Sequence, residues 1–107
     1  MSVGIIAGNA SGINILEATW DIPSVAANTT EEETFTLAGA KVGDYVHVSK
    51  ADLDAGIIFG SARVTAADTV GVQISNPTAS AVDAASETVK ILHVRPEGQS
   101  ANTGIAV

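Results

Sequence analysis

Two histidines are the side chains of this sequence best suited to chemistry near neutral pH. His47 and His93 each lie in a segment that alternates like a β-strand, and the 107-residue chain has no Cys. A zinc site needs three or four ligands, and nothing at metal-binding spacing accompanies either histidine. We therefore predict two ordinary strand histidines, exposed or hydrogen-bonded, and no metal or other cofactor.

A run of three carboxylates, Glu31–Glu33, is the next candidate for a metal site. Successive side chains of an extended chain point to opposite faces, so three consecutive glutamates cannot all converge on one ion. The run is more typical of a solvated turn or of a sheet edge protected by charge. Ala51–Ala55 lacks the spaced ligands of a calcium loop, and we predict a short helical or 3₁₀ turn there.

Catalytic motifs are missing from the sequence. No Gly-x-Ser-x-Gly elbow is present to support a Ser–His–Asp triad. Gly4, Gly8 and Gly12 lack the preceding strand, the following helix and the Lys of a phosphate-binding loop. These observations predict that the chain is not an enzyme.

Charge excludes two classes of partner. The formal net charge is −7, and the five Lys and Arg residues form no cluster. Binding to nucleic acids and to anionic membranes depends on cationic contacts with phosphates, so neither is expected. The sequence also has no apolar run of the roughly 20 residues that a membrane span needs. It shows no signal peptide, so we expect synthesis in a cytoplasm.

Short segments of alternating polarity predict an all-β fold. We expect about six to seven short strands in a small antiparallel β-sandwich or partly open barrel, residues 13–98, with extended arms at residues 1–12 and 99–107. The strand-like segments are Ile13–Ile22, Thr34–Leu37, Tyr45–Lys50, Ile57–Thr65, Val70–Ile74 and Thr88–Arg95.

The connections between these segments carry their own signals. Ser24–Glu33 is polar and acidic and predicts a turn, and Thr78–Glu87 is long enough to cross between sheets. Gly60 inside a strand predicts a bulge or a close approach of another backbone. Asp68 suits a turn because its side chain can bond the backbone two residues on, and Asn76–Pro77 ends a strand.

Small and β-branched side chains supply the core, because aromatic residues are only 4% of the chain. Trp20 is the single Trp, and we consider two roles for it: a core anchor or an anchor at a subunit interface. A thin core favours association of subunits, which buries surface that a lone domain cannot.

The order of several short motifs resembles a small β-sandwich domain found in structural proteins of tailed-bacteriophage virions. The motifs are Gly43–Val48 (GDYVHV), Ala55–Ile57 (AGI), Ala62–Val70 (ARVTAADTV) and Asn76–Thr78 (NPT). The similarity covers roughly Thr34–Arg95. It implies a virion β-sandwich, often trimeric, in capsid decoration (cement) proteins or at the base of head and tail fibres, with no catalytic residues.

The expected function is that of a decoration protein on the capsid surface, made in the host bacterial cytoplasm. Its expected partners are the major capsid protein and further copies of itself in a homotrimer. Candidate residues of a capsid-binding arm are Val3, Ile5, Ile6, Ile13 and Ile15. Candidate residues of the subunit interface are Trp20, Ile105 and Val107. The alternatives are a head-fibre or tail-associated base domain and, from another class, a carbohydrate-binding module.

Overall fold

The described part of the chain is built of β-strands. The computed structural model describes residues 10–50 and 56–96, which form six strands and no helix. The strands are β1 (Ala10–Trp20), β2 (Thr29–Thr36), β3 (Tyr45–Lys50), β4 (Ile58–Ala66), β5 (Thr69–Asn76) and β6 (Glu87–Pro96). The prediction of an all-β chain with six or seven short strands is confirmed.

The six strands form two antiparallel sheets of three strands each. The first sheet has the order β1-β6-β3 and the second sheet the order β2-β5-β4. Only β4 and β5 are neighbours in both sequence and sheet, and the two-residue turn Ala67–Asp68 joins them. Every other connection crosses from one sheet to the other. The fold is thus an open β-sandwich and not a closed barrel.

The core lies between the two sheets and consists mainly of β-branched side chains. The central strands β5 and β6 supply residues that are at most 1% exposed: Val70, Val72, Ile74, Val89 and Ile91. Alternation along each strand sends these side chains inward and their neighbours outward. Val and Ile suit such positions because branched side chains pack well on a pleated surface.

Trp20 is the largest side chain of this core. It is 5% exposed, and its ring centroid lies 4.8 Å from that of Phe35 and 6.2 Å from that of Phe59, in tilted geometry. Trp20 belongs to the first sheet and both Phe residues to the second, so the indole links the sheets. An interface anchor would need an exposed indole, and of the two roles considered the geometry fits the core anchor.

Two predicted boundaries differ from the observed strands by three residues or more, and the others differ by at most two residues. β1 begins at Ala10, so residues 10–12 belong to a strand and not to the N-terminal arm. Thr29–Glu33, predicted as part of a turn, forms the first half of β2. Its pairing with β5 outweighs the low strand preference of Glu. The turn predicted at Ala51–Ala55 lies outside the described residues.

The turn between β4 and β5 ties neighbouring loops together. Asp68 adopts a left-handed conformation with φ 63°, as tight hairpin turns require. Its Oδ1 accepts a 2.7 Å hydrogen bond from the backbone N–H of Gly39, and not from the backbone two residues on as predicted. The bulge expected at Gly60 is present, since the register shifts between Phe59 and Ala62.

Candidate functional site

The outer face of the first sheet carries exposed apolar side chains on all three strands. Val89 and Ile91 of β6 face the core, so alternation places Leu92 on the outer side. We name this surface the apolar face and define it by five residues: Ile13, Ile15, Tyr45, Leu92 and Val94. Ile15 is 82% exposed and Tyr45 68% exposed. A contiguous apolar patch of this kind is typical of a surface that meets a partner.

Strand register arranges the outer side of this sheet in rows. Three cross-strand rows follow one another: Ile13–Val94–Tyr45, Ile15–Leu92–His47 and Glu17–Lys90–Ser49. Ile15 and Leu92 help to line a shallow depression of about 230 Å³. The first two rows contain no carboxylate, Lys or Arg, and the third places Glu17 opposite Lys90. The apolar face is therefore almost free of net charge.

The outer face of the second sheet is polar by contrast. β2 and β5 present hydroxyl, amide and carboxylate groups there: Thr30, Glu32, Thr34, Thr36, Gln73 and Ser75. Ile58 at the start of β4 is the one large exposed apolar side chain on this face among the described residues. The two outer faces of the sandwich thus differ in chemistry, and only the first has an apolar surface.

An ion pair crosses the middle of that polar face. Arg63 on β4 donates from Nε to Glu32 Oε2 at 2.8 Å and from Nη2 to Glu32 Oε1 at 2.9 Å. Because β5 lies between these strands, the pair passes over Gly71, where a Cβ would lie 2.8 Å from Glu32 Cδ and from Thr65 Cγ2. The Arg63 guanidinium lowers the pKa of Glu32. The pair joins β2 to β4 across β5 and is structural.

A buried polar cluster joins β6 to the loop before β3. Asp44 Oδ1 accepts a 3.1 Å bond from Arg95 Nε, and Oδ2 accepts a 2.7 Å bond from Arg95 Nη2. The same carboxylate bonds His93 Nε2 at 2.7 Å and accepts the Lys41 backbone N–H at 3.0 Å. Arg95 above all, and then His93 and Lys41, hold the pKa of Asp44 well below its usual range, although burial opposes this.

Both ring nitrogens of His93 are engaged by neighbouring side chains. Its Nδ1 lies 3.0 Å from Asn14 Nδ2 and its Nε2 faces Asp44, so both ring nitrogens have partners. A neutral ring satisfies both contacts when Nε2–H donates to the carboxylate and Nδ1 accepts from the amide. Neither nitrogen faces a hydroxyl, so no nucleophile–base pair is formed. A cleft of about 270 Å³ borders this cluster beside Asn14 and Gly39.

The predicted metal candidates do not converge. His47 points to the outer side of β3, whereas His93 is 6% exposed and points inward. Glu32 bonds Arg63 on the outer face, while Glu31 and Glu33 share the opposite face of β2. No group of three or more metal-binding side chains occurs within residues 10–50 and 56–96.

Glu31 and Glu33 lie on the core side of an edge strand, where burial is incomplete. Burial raises the pKa of Glu33, and its hydrogen bond with Glu31 raises it further. Charged side chains that point inward from an edge strand oppose pairing with a foreign strand. This fits the sheet-edge interpretation of the acidic run, since β2 is an edge of the second sheet.

Lys50 is a second buried charge, at the end of β3. Its side chain is 0% exposed, and its Nζ lies 2.7 Å from Glu87 Oε2 at the start of β6. The backbone oxygen of Ala85 lies 3.4 Å from the same nitrogen. A buried ammonium needs such partners, so the pair fixes β3 on β6 and is structural.

Of the predicted site residues, only Ile13 and Ile15 lie on an exposed described surface. Trp20 lies in the core, and the other five candidates fall outside the described residues: Val3, Ile5, Ile6, Ile105 and Val107. Tyr45 and Leu92 were not among the candidates. Alternation along the sequence predicts that both side chains point to the same side of their strands as other outward residues. It does not predict which face of the sheet is left uncovered.

In the part of the chain that the structure describes, no helix has the length and apolar character to cross a membrane. Comparison of the chain with protein-family models, curated proteins and solved structures gives no match. The sandwich fold and its two unlike outer faces therefore carry the functional argument.

Proposed function

We propose that this chain is a non-enzymatic structural protein of a tailed-phage virion. It acts as a capsid decoration protein that sits on the capsid surface as a homotrimer and bridges major capsid proteins. The observation that supports this most is the sandwich with one apolar outer face and no paired catalytic groups among the described residues. An exposed apolar surface of this kind supports binding to another protein.

The motifs of the phage resemblance occupy structural positions, as a structural family would require. Gly43 has φ 102°, which favours Gly, and the adjacent Asp44 joins the buried cluster. Ala62–Val70 spans the β4–β5 hairpin. Asn76 is fully buried, and Thr78 beside it closes the corner. These motifs therefore describe how the domain folds and add no site.

Binding to the capsid is assigned to the segment that precedes β1. It contains Val3, Ile5 and Ile6, and it leads into Ile13 and Ile15 on the exposed strand. Apolar residues in such a segment offer a way to hold a partner across a joint between capsid subunits. The net charge of −7 continues to argue against nucleic acid and anionic membranes as partners.

The carbohydrate-binding alternative needs exposed aromatic side chains, and the described residues offer few. Tyr45 is exposed, but Trp20 is buried and both Phe residues are partly buried against the core. A head-fibre or tail-associated base domain would use the same fold and surface. That alternative differs from decoration in where on the virion the protein lies.

A capsid-binding assay tests the proposal. Purified full chain is mixed with phage capsids that lack it, and bound protein is measured after sedimentation. We expect binding across the shell, and we expect deletion of Ser2–Asn9, which leaves β1 intact, to abolish it while the domain stays folded. Failure of the full chain to bind such capsids would overturn the decoration role.

A further inference from the structure

The apolar face gathers most of the exposed large apolar side chains of the described residues on one side of the first sheet, whereas Val42 and Ile58 are exposed elsewhere. Ile13, Ile15, Tyr45 and Leu92 are 54%, 82%, 68% and 43% exposed, whereas the core residues of the same sheet are at most a few per cent exposed. We infer that the apolar face is the surface through which copies of this chain associate. The inference rests on the self-association part of the proposed function and not on capsid binding.

The low charge of the apolar face favours a second copy of this chain as its partner. Each copy has a net charge of −7, so two copies repel one another wherever their carboxylates meet. The first two rows contain no carboxylate, Lys or Arg, and the charges of Glu17 and Lys90 in the next row cancel one another. Contact between two such faces therefore buries apolar surface without bringing like charges together. A cationic partner would find no complementary carboxylates in these rows.

The size of the patch agrees with an interface between subunits. The exposed parts of Ile13, Ile15, Tyr45 and Leu92 amount to an area on the order of 500 Å², near the upper end for patches on monomers. A stable interface buries about 800 Å² from each partner. The remainder can come from the rim of the face, because His47, Glu17 and Lys90 lie on the same side of the sheet and are exposed.

The β1 edge differs from the edges of the second sheet. β2 carries the inward carboxylates Glu31 and Glu33, and β4 has two register irregularities, both features that discourage strand pairing. β1 pairs regularly with β6 from Gly12 to Trp20. Within the described ranges no backbone group outside β6 bonds to β1. The open edge and the apolar face are thus continuous, and in a trimer the three faces would surround the threefold axis.

This inference assigns Ile13 and Ile15 to contacts between copies and leaves capsid binding to the preceding residues. Ile58 provides a matched control, because it is also an isoleucine, is 53% exposed against 54% for Ile13, and lies on the outer face of the other sheet. Glu at an interface position would bury an unpaired charge, whereas Glu at an exposed position outside it stays solvated.

The test is the mass of the purified full chain in solution, without any capsid, by analytical ultracentrifugation over a range of concentrations. We expect a mass of three times 10.8 kDa for the natural chain and for Ile58→Glu. Ile13→Glu should weaken association by at least about 30-fold, as expected for an interface hot spot, and should keep the β-sheet circular dichroism spectrum.

Two results would overturn the inference. One is a natural chain that stays at 10.8 kDa at every concentration. The other is an oligomer that Ile58→Glu dissociates and Ile13→Glu does not. If Ile13→Glu fails to fold, Tyr45→Glu on the other edge of the face is used in its place, with the same expected dissociation. Loss of capsid binding with an unchanged mass would leave the inference intact and refute the decoration role alone.

Discussion

Asp44 and Arg95 are joined by two hydrogen bonds, of 3.1 Å from Nε to Oδ1 and 2.7 Å from Nη2 to Oδ2, across 51 residues of chain. Arg95 also donates from Nη2 to the backbone oxygen of Gly39 at 2.6 Å. One guanidinium therefore fixes both ends of the loop that leads from the second sheet to β3. The apolar face depends on this loop, because the loop sets where Tyr45 enters the first sheet.

Asp44→Ala should destabilise the domain by about 3 kcal/mol, because it leaves a largely buried His93 and the Lys41 N–H without their partner. Urea unfolding followed by circular dichroism measures this. Asp21→Ala, at an exposed carboxylate, is the control and should change the free energy of unfolding by less than about 0.5 kcal/mol. Equal effects of the two substitutions would contradict the role given to Asp44.

Stability should depend on pH in two opposite ways. The pKa of Asp44 is lowered in the fold, so its contribution is present above about pH 4 and is lost as the pH falls further. The pKa of Glu33 is raised in the fold, so its contribution is fully present below the ordinary Glu value and is lost as the pH rises through the raised value.

Urea midpoints between pH 7 and pH 3 separate these two effects. In Asp44→Asn the urea midpoint should fall less steeply than in the natural chain as the pH approaches 3. In Glu33→Gln the midpoint should lack the increase that the natural chain shows at higher pH, as the Glu33 carboxylate takes up its proton. If the urea midpoint of Asp44→Asn decreases at low pH as steeply as that of the natural chain, other carboxylates dominate the loss of stability.

Gly71→Ala should cost about 1 to 2 kcal/mol, since its Cβ would press on Thr65 Cγ2 and push Glu32 away from Arg63. Gly12→Ala on β1 is the matched control. Its Cβ would meet only Asn14 Nδ2, at 3.9 Å, so we expect little change or slight stabilisation. Thermal unfolding of both variants checks this, and a stabilised Gly71→Ala would contradict the crossing of the ion pair over β5.

Asn76→Ala should destabilise the sandwich by about 3 kcal/mol. The Asn76 amide is fully buried and donates to Val25 O at 3.0 Å and Ser80 O at 2.9 Å, while its oxygen accepts from the Thr78 N–H at 3.0 Å. Gln73→Ala, an exposed polar residue of the same strand, is the comparison in the same urea titration. If both variants unfold at the same urea concentration, the Asn76 amide does not stabilise the turn that follows β5.

Local alternation was sufficient to predict the strands whose inward residues are apolar. Tyr45–Lys50 is observed as β3 with the predicted bounds, and Val48 points inward as expected. The first half of β2 was missed because its inward positions are Glu31 and Glu33. Only pairing with β5 makes that segment a strand, and such pairing is not visible along the chain.

The candidate site could be predicted only in part. Ile13 and Ile15 were chosen from their apolar character near the N-terminus, and their exposure makes them part of the apolar face. Tyr45 and Leu92 join them through strand register, which links positions about 30 and 80 residues from β1. The Asp44–Arg95 pair is equally non-local, and no motif at either residue signals it.

A cryo-EM map of the intact phage particle tests the central proposal most directly. We expect density for this domain repeated over the whole capsid shell, bound at joints between major capsid proteins. A map that places the domain only at the tail or a fibre, or that has no density for it, would contradict the assignment as a decoration protein.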